Sequence, residues 1–291
     1  MKKYIIAIIV LFLLIILSVG GYFIYGNFKS NESNNIDTLK QKCTSEIEYL
    51  SSNIIGMMNE INNISYSNYK IVNEEIPASD SSSDTQSESS QNSEQNNSQS
   101  QDNTINRSSI VTDNIQSISN KDVNWTEINS KIQEVYSSWT TIMMDLTSLN
   151  VNKDNLLKFN NTLDSTTKNI ENKDKSQTLI NLSDLYNLIS LYINDFSGDN
   201  EKISIYKVRS NILYSYAYAE SNDWQKVSEY ISKAEQEFSN ILNNQINNIN
   251  KLDIINKSYI LLNELKQDSI NNDKNIFLVN YTNLMQELQT L

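Results

Sequence analysis

Past residue 29 the chain contains two glycines, Gly56 and Gly198, and one proline, Pro77. A turn-rich β fold needs such residues often, and a phosphate-binding loop needs several glycines together. A chain so poor in both must keep most of its length in helices. Two segments show where. Cys43, Leu50, Met57 and Ile64 recur every seven residues, with Ile47, Ile54 and Ile61 interleaved. Trp125, Ile132, Trp139 and Leu146 repeat in the same way, interleaved with Ile128, Val135, Ile142 and Leu149. Alternating steps of three and four place each set on one helical stripe. Asn124 followed by Glu127 reads as a capping pair that starts the second of these helices.

Weaker helical patterns follow. Leu156, Phe159, Leu163 and Ile170 suggest one helix, and Leu179, Leu182, Tyr186, Ile189 and Tyr192 the next. Ser197 to Asn200 is the clearest turn, and helices are expected at 201–221, 223–250, 253–268 and 273–290. Their short connections favour antiparallel neighbours.

Ahead of these helices, Tyr4 to Tyr25 is a nearly unbroken apolar run after Lys2 and Lys3. As a helix it measures about 33 Å, enough for a bilayer core of about 30 Å. The two lysines put its amino terminus in the cytoplasm, and Tyr22, Phe23, Tyr25 and Phe28 suit the far interface. Ser18-Val19-Gly20 resembles a cleavage site, but the apolar run continues past it, so the segment reads as a retained anchor.

The expected fold class is therefore all-α: a membrane anchor helix, then an extracytoplasmic antiparallel helical bundle or helical-hairpin array. The expected divisions are an anchor over 1–29, an amphipathic helix over 36–66, a disordered Ser/Asn/Gln-rich acidic linker over 74–120 and a helical domain over 121–291. Within the linker, Ser79 to Thr104 has no aliphatic, aromatic or basic residue and is expected to be disordered. The stripe of the first helix suits a coiled-coil dimer or packing within the chain. The matching stripe at 125–149 favours packing within it.

Composition narrows function by exclusion. The chain has no histidine, which removes Ser-His-Asp and Cys-His catalysis, histidine-bound zinc and the Glu-x-x-His di-iron motif. Its net charge of −12 argues against a nucleic-acid surface. One cysteine, Cys43, excludes an internal disulfide. No cofactor, metal site or catalytic residue is expected. With Met143 and Met144 nearby in an antiparallel pairing, Cys43 suggests a soft-metal site, but its place on the apolar stripe makes it a core residue.

The candidate ligand-binding residues are Arg209, Tyr214 and Tyr218. Tyr214, Tyr216 and Tyr218 lie in a stretch apolar on several sides, the mark of a central helix with room for an aromatic groove. Arg209 has no carboxylate three or four residues away on its helix, so its partner must come from elsewhere, such as a ligand carboxylate or phosphate.

Tyr218, Trp224, Val227, Ile231 and Ala234 have spacings that resemble one tetratricopeptide repeat. One period earlier, Ser197 and Asn200 do not repeat the pattern, so it is read as the packing of one helical hairpin.

The functional expectation is a single-pass, non-enzymatic protein of the bacterial cell envelope. It touches the membrane through its first helix and uses its ectodomain to bind an envelope protein or organise an assembly, with self-association open and no nucleic acid as partner. One alternative is a small-ligand receptor with an interhelical Tyr/Arg pocket. The other is a carboxylate-dependent cell-envelope hydrolase.

Overall fold

The computed structural model describes residues 35–62, 64, 70–74, 107–111, 122–244 and 251–291. The anchor expected over 1–29 lies outside these residues. Among those described, no helix is long and apolar enough to cross a membrane.

The fold is all-α, with one small ribbon of strand. Helix α1 covers 35–61. Strands β1 (Lys70–Glu74) and β2 (Arg107–Val111) follow, then α2 (Trp125–Ser148), α3 (Lys153–Glu171) and α4 (Lys175–Phe196). The chain continues through α5 (Asn200–Glu220), α6 (Trp224–Asn244), α7 (Leu252–Asn271) and α8 (Lys274–Thr290).

Side-chain oxygens start several of these helices. Asn124 accepts from the Glu127 amide and donates to its carboxylate, closing the expected capping pair. Asn152, Asp174, Asp199 and Asp273 cap α3, α4, α5 and α8. The turn after α4 uses Gly198 at φ +69, where a side chain would be strained. Asn150, Lys173, Asn222 and Asn272 take similar φ values between other helices, which lets tight turns form with so few glycines.

Both seven-residue stripes are buried. Cys43, Ile47, Leu50, Ile54, Met57 and Ile61 on α1 share one hydrophobic core with Ile128, Ile132, Val135, Trp139, Ile142 and Leu146 on α2. The two helices run in opposite directions, since Lys42 pairs with Asp145 and Lys131 with Glu60. Successive later helices also reverse direction. Trp139 stacks on Phe159 between α2 and α3, Tyr214 meets Asp184 between α5 and α4, and Lys266 meets Glu235 between α7 and α6.

Helix α5 touches α4, α6 and α8. It also meets α1 through Lys202–Glu48 and Asn62–Tyr216, in the same chain direction. This central position explains why Ile205, Val208, Ile212, Leu213, Tyr216, Ala217 and Ala219 are all buried, although they point to several sides.

Two expectations need correction. The first helix stops at 61 rather than 66: the Ile64 amide turns back to the Asn59 carbonyl at 2.8 Å, and Ile64 packs on the core from outside the helix. The span 74–120, expected to be disordered, also includes regular structure: β2 lies within it and pairs antiparallel with β1, with Glu74 opposite Arg107. The β-branched pairs Ile71–Val72 and Ile110–Val111 have the residue types that strands favour. The tract from Ser79 to Thr104 lies outside the described residues.

Candidate functional site

Helices α1 and α5 meet tightly at one end and part at the other. At the closed end, the fully buried Tyr216 donates to the Met58 carbonyl at 2.9 Å and accepts from Asn62. Its ring stacks on Tyr281 of α8 at 4.3 Å, and Tyr281 donates to Asn59 at 3.1 Å. Burial pushes the Tyr216 phenol well above its ordinary pKa, so it stays a neutral donor. Beside it, Glu220 pairs with Lys175 at 2.9 Å and Lys274 at 3.0 Å, and accepts from Asn62 at 3.1 Å. Burial alone would raise its pKa, but the two lysines outweigh burial and lower it. One carboxylate thus ties the beginnings of α4 and α8 to the ends of α1 and α5.

Where the helices part there is a cavity of about 730 Å³. Its α1 wall is a single face spaced three or four residues apart: Glu48, Ser51, Ser52, Ile55, Gly56 and Asn59. Its α5 wall is another: Glu201, Lys202, Ile205, Tyr206 and Arg209, with the cap residue Asp199. Lys251 and the end of α8, Gln289 and Leu291, complete it. A Cβ at Gly56 would have no atom within 4 Å, so the missing side chain leaves open space.

The charged groups here are not equivalent. Lys202 pairs with Glu48 at 3.0 Å, and Lys251 with Glu201 at 2.8 Å. Asp199 accepts from the Lys202 amide at the start of α5. Arg209 has no ion-pair partner among the described residues. Its Nη2 donates to the Leu288 carbonyl, its Nε is buried without a partner, and its guanidinium lies 5.5 Å from the Tyr206 ring centre. Tyr206 stacks on Tyr186, which accepts from Ser51, and burial raises the Tyr206 phenol pKa.

The three candidates from the sequence do not share one pocket. Arg209 lines the cavity, whereas Tyr214 and Tyr218 face elsewhere. Tyr214 donates to Asp184 at 2.6 Å, and both tyrosines stack on Tyr230 of α6, with Lys226 over the Tyr218 ring at 4.3 Å. Five and nine residues beyond Arg209, they are turned by about 140° and 180° around the helix. Burial raises the Asp184 carboxyl pKa, and the Tyr214 hydrogen bond opposes that.

The remaining cavity residues escaped the sequence reading. Gly56 is the one visible signal, as an isolated glycine in a helical stripe commonly marks a packing or functional need. Cys43 is buried in the core and its thiol is pushed up to about 11, chiefly by burial, so it is an inert thiol. Met144 is exposed and the Met143 sulfur accepts from Asn160, so neither forms a soft-metal set with Cys43. No group of three His, Cys, Asp or Glu residues able to hold a metal occurs among the described residues. No protein-family model, curated protein or solved structure matches the chain.

Proposed function

We propose that this chain is a single-pass, membrane-tethered, non-enzymatic protein of the bacterial cell envelope. In this reading its extracytoplasmic helical-hairpin array binds a small ligand in the cavity between α1 and α5. The carrying observation is the cavity itself. Its volume of about 730 Å³ lies in the range of small-molecule sites, and its walls are mostly polar and charged, with Ile55, Ile205 and Tyr206 supplying apolar and aromatic surface. The apolar run Tyr4–Tyr25 supports the tether.

The Ser-rich tract lies between α1 and α2, so it does not set the reach from the membrane. Only residues 30–34 separate the expected anchor from α1, at most about 3.5 Å of chain each. The helices would therefore sit close to the bilayer surface.

The test is a thermal-shift screen of the purified full-length protein against small polar metabolites. At least one should raise the melting temperature, and Gly56→Leu should reduce that gain by occupying the space beside α1. No gain across the panel, or a gain unchanged in Gly56→Leu, would refute cavity binding. Retention in membranes after alkaline extraction, with the helices open to protease from outside intact cells, checks the tether and its orientation.

A second reading is an envelope protein as partner, for which closeness to the membrane is the supporting feature. Crosslinking in the native cells would retrieve that partner reproducibly. Recovery of the chain alone would count against it.

A further inference from the structure

We infer that the cavity takes a small hydroxylated molecule bearing a single carboxylate, which sits on Arg209. This rests on the cavity reading above and adds the ligand's chemical class. Lys202 and Lys251 are each satisfied by a glutamate, while Arg209 meets a neutral carbonyl and an aromatic face. A half-buried guanidinium gains little charge compensation from such partners, and its buried Nε has none among the described residues. A carboxylate is the planar, singly charged group that a guanidinium fork matches best.

The balance of charge sets the limit at one negative group. The side chains of the cavity wall carry three cations and three carboxylates, Lys251 also donates to a Leu291 oxygen, and the whole chain carries −12. A second negative charge would find no unpaired cation and would meet Glu48, Glu201 and Asp199. Monocarboxylates are therefore favoured over phosphate dianions or dicarboxylates. The neutral part of the ligand has Ser51, Ser52 and Gln289 for its hydroxyls and the open space at Gly56 for its bulk.

The probes are D-glucuronate and D-gluconate, with D-glucose as the uncharged counterpart and inorganic phosphate as the alternative anion. Binding to the full-length protein in detergent is followed by titration calorimetry. At least one sugar acid should bind roughly ten- to a hundredfold more tightly than glucose, as charge-assisted hydrogen bonds imply. Arg209→Gln should remove that preference, and Arg209→Lys should restore only part of it. Gly56→Leu should weaken binding while the helices stay folded by circular dichroism.

Glucose binding as tightly as the sugar acids would overturn the carboxylate inference yet leave the cavity reading standing. So would a preference unchanged in Arg209→Gln. Phosphate binding more tightly than either sugar acid would replace the carboxylate with a phosphoryl ligand. Absence of binding by all four probes would overturn the inference, whereas the cavity reading is decided by the broader metabolite screen.

Discussion

The two ends of the α1–α5 contact are built from similar residues and do opposite things. At the Met58–Asn62 end, two tyrosine hydroxyls, two asparagines and a glutamate satisfy one another, and the helices close. At the Glu48–Gly56 end, serines, a glycine and a lone arginine face across open space. Polarity alone therefore does not decide whether helices seal or separate. The difference lies in whether each buried polar atom has a partner within the fold and whether a large ring fills the gap.

The largest expected effect comes from breaking the closed end. Tyr216→Ala removes a fully buried ring and should cost about 3–5 kcal/mol of stability, read from urea unfolding. Tyr216→Phe keeps the ring and should cost about 1–3 kcal/mol, since the Met58 carbonyl loses its donor. Equal losses in the two variants would mean that the ring contributes nothing beyond its hydroxyl.

Next comes the carboxylate that ties four helix ends together. Glu220→Gln leaves Lys175 and Lys274 without their anion and should cost about 2–3 kcal/mol at pH 7, at the lower edge for a buried pair because the lysines are partly exposed. Because its folded pKa is depressed, the contribution of Glu220 is present above its unfolded pKa and fades as pH falls through the folded one. The gap between wild type and variant should thus narrow in acid, as followed by melting at several pH values.

Asp268 sharpens the contrast between a buried carboxylate with lysines and one without. It accepts from Asn280 at 2.7 Å, and burial raises its pKa to about 6, against the pull of that hydrogen bond. The folded state then holds a proton that the unfolded state has released between about pH 4 and pH 6, so stability falls as pH rises through that window. Asp268→Asn should be about 1–2 kcal/mol more stable than wild type at pH 7.5, with the advantage gone near pH 4. A constant difference between the two melting curves would show that ionisation of Asp268 is not involved.

The smallest effect is expected at the open end. Gly56→Ala places a methyl group where no atom lies within 4 Å, and should stabilise the protein by about 0.5–1 kcal/mol through helix propensity. A loss of stability instead would mean that the space at Gly56 is not open.

The closed end was partly legible in the sequence, because burial of α1 and α2 follows from periodicity and that of α5 from apolar residues on several of its sides. Cys43, Leu50 and Met57 report one face, and the apolar residues on several sides of the helix around Tyr216 report a central position. The cap at Asn124 was legible for the same local reason. The cavity was not. It depends on Ser51, Ser52 and Gly56 lying beside Arg209 and Gln289, residues far apart in sequence whose meeting is set by how α1 enters the core. Arg209 was legible through its lack of a local partner, but its link to Tyr214 and Tyr218 ignored the turn of the helix between them. The early stop of α1 is likewise decided by Asn62 reaching across to Tyr216 and Glu220, a contact no local pattern encodes.

The ribbon of β1 and β2 has a consequence for how this gene can change. With Glu74 paired to Arg107, the two ends of the span 75–106 are held about 5 Å apart. For a flexible connection of any length, doubling costs only about 0.6 kcal/mol of closure entropy. A change of length between Glu74 and Arg107 is therefore expected to leave the helices on either side unaltered. The same place is a natural splice point at which a reporter domain can be grafted while the helices keep their positions.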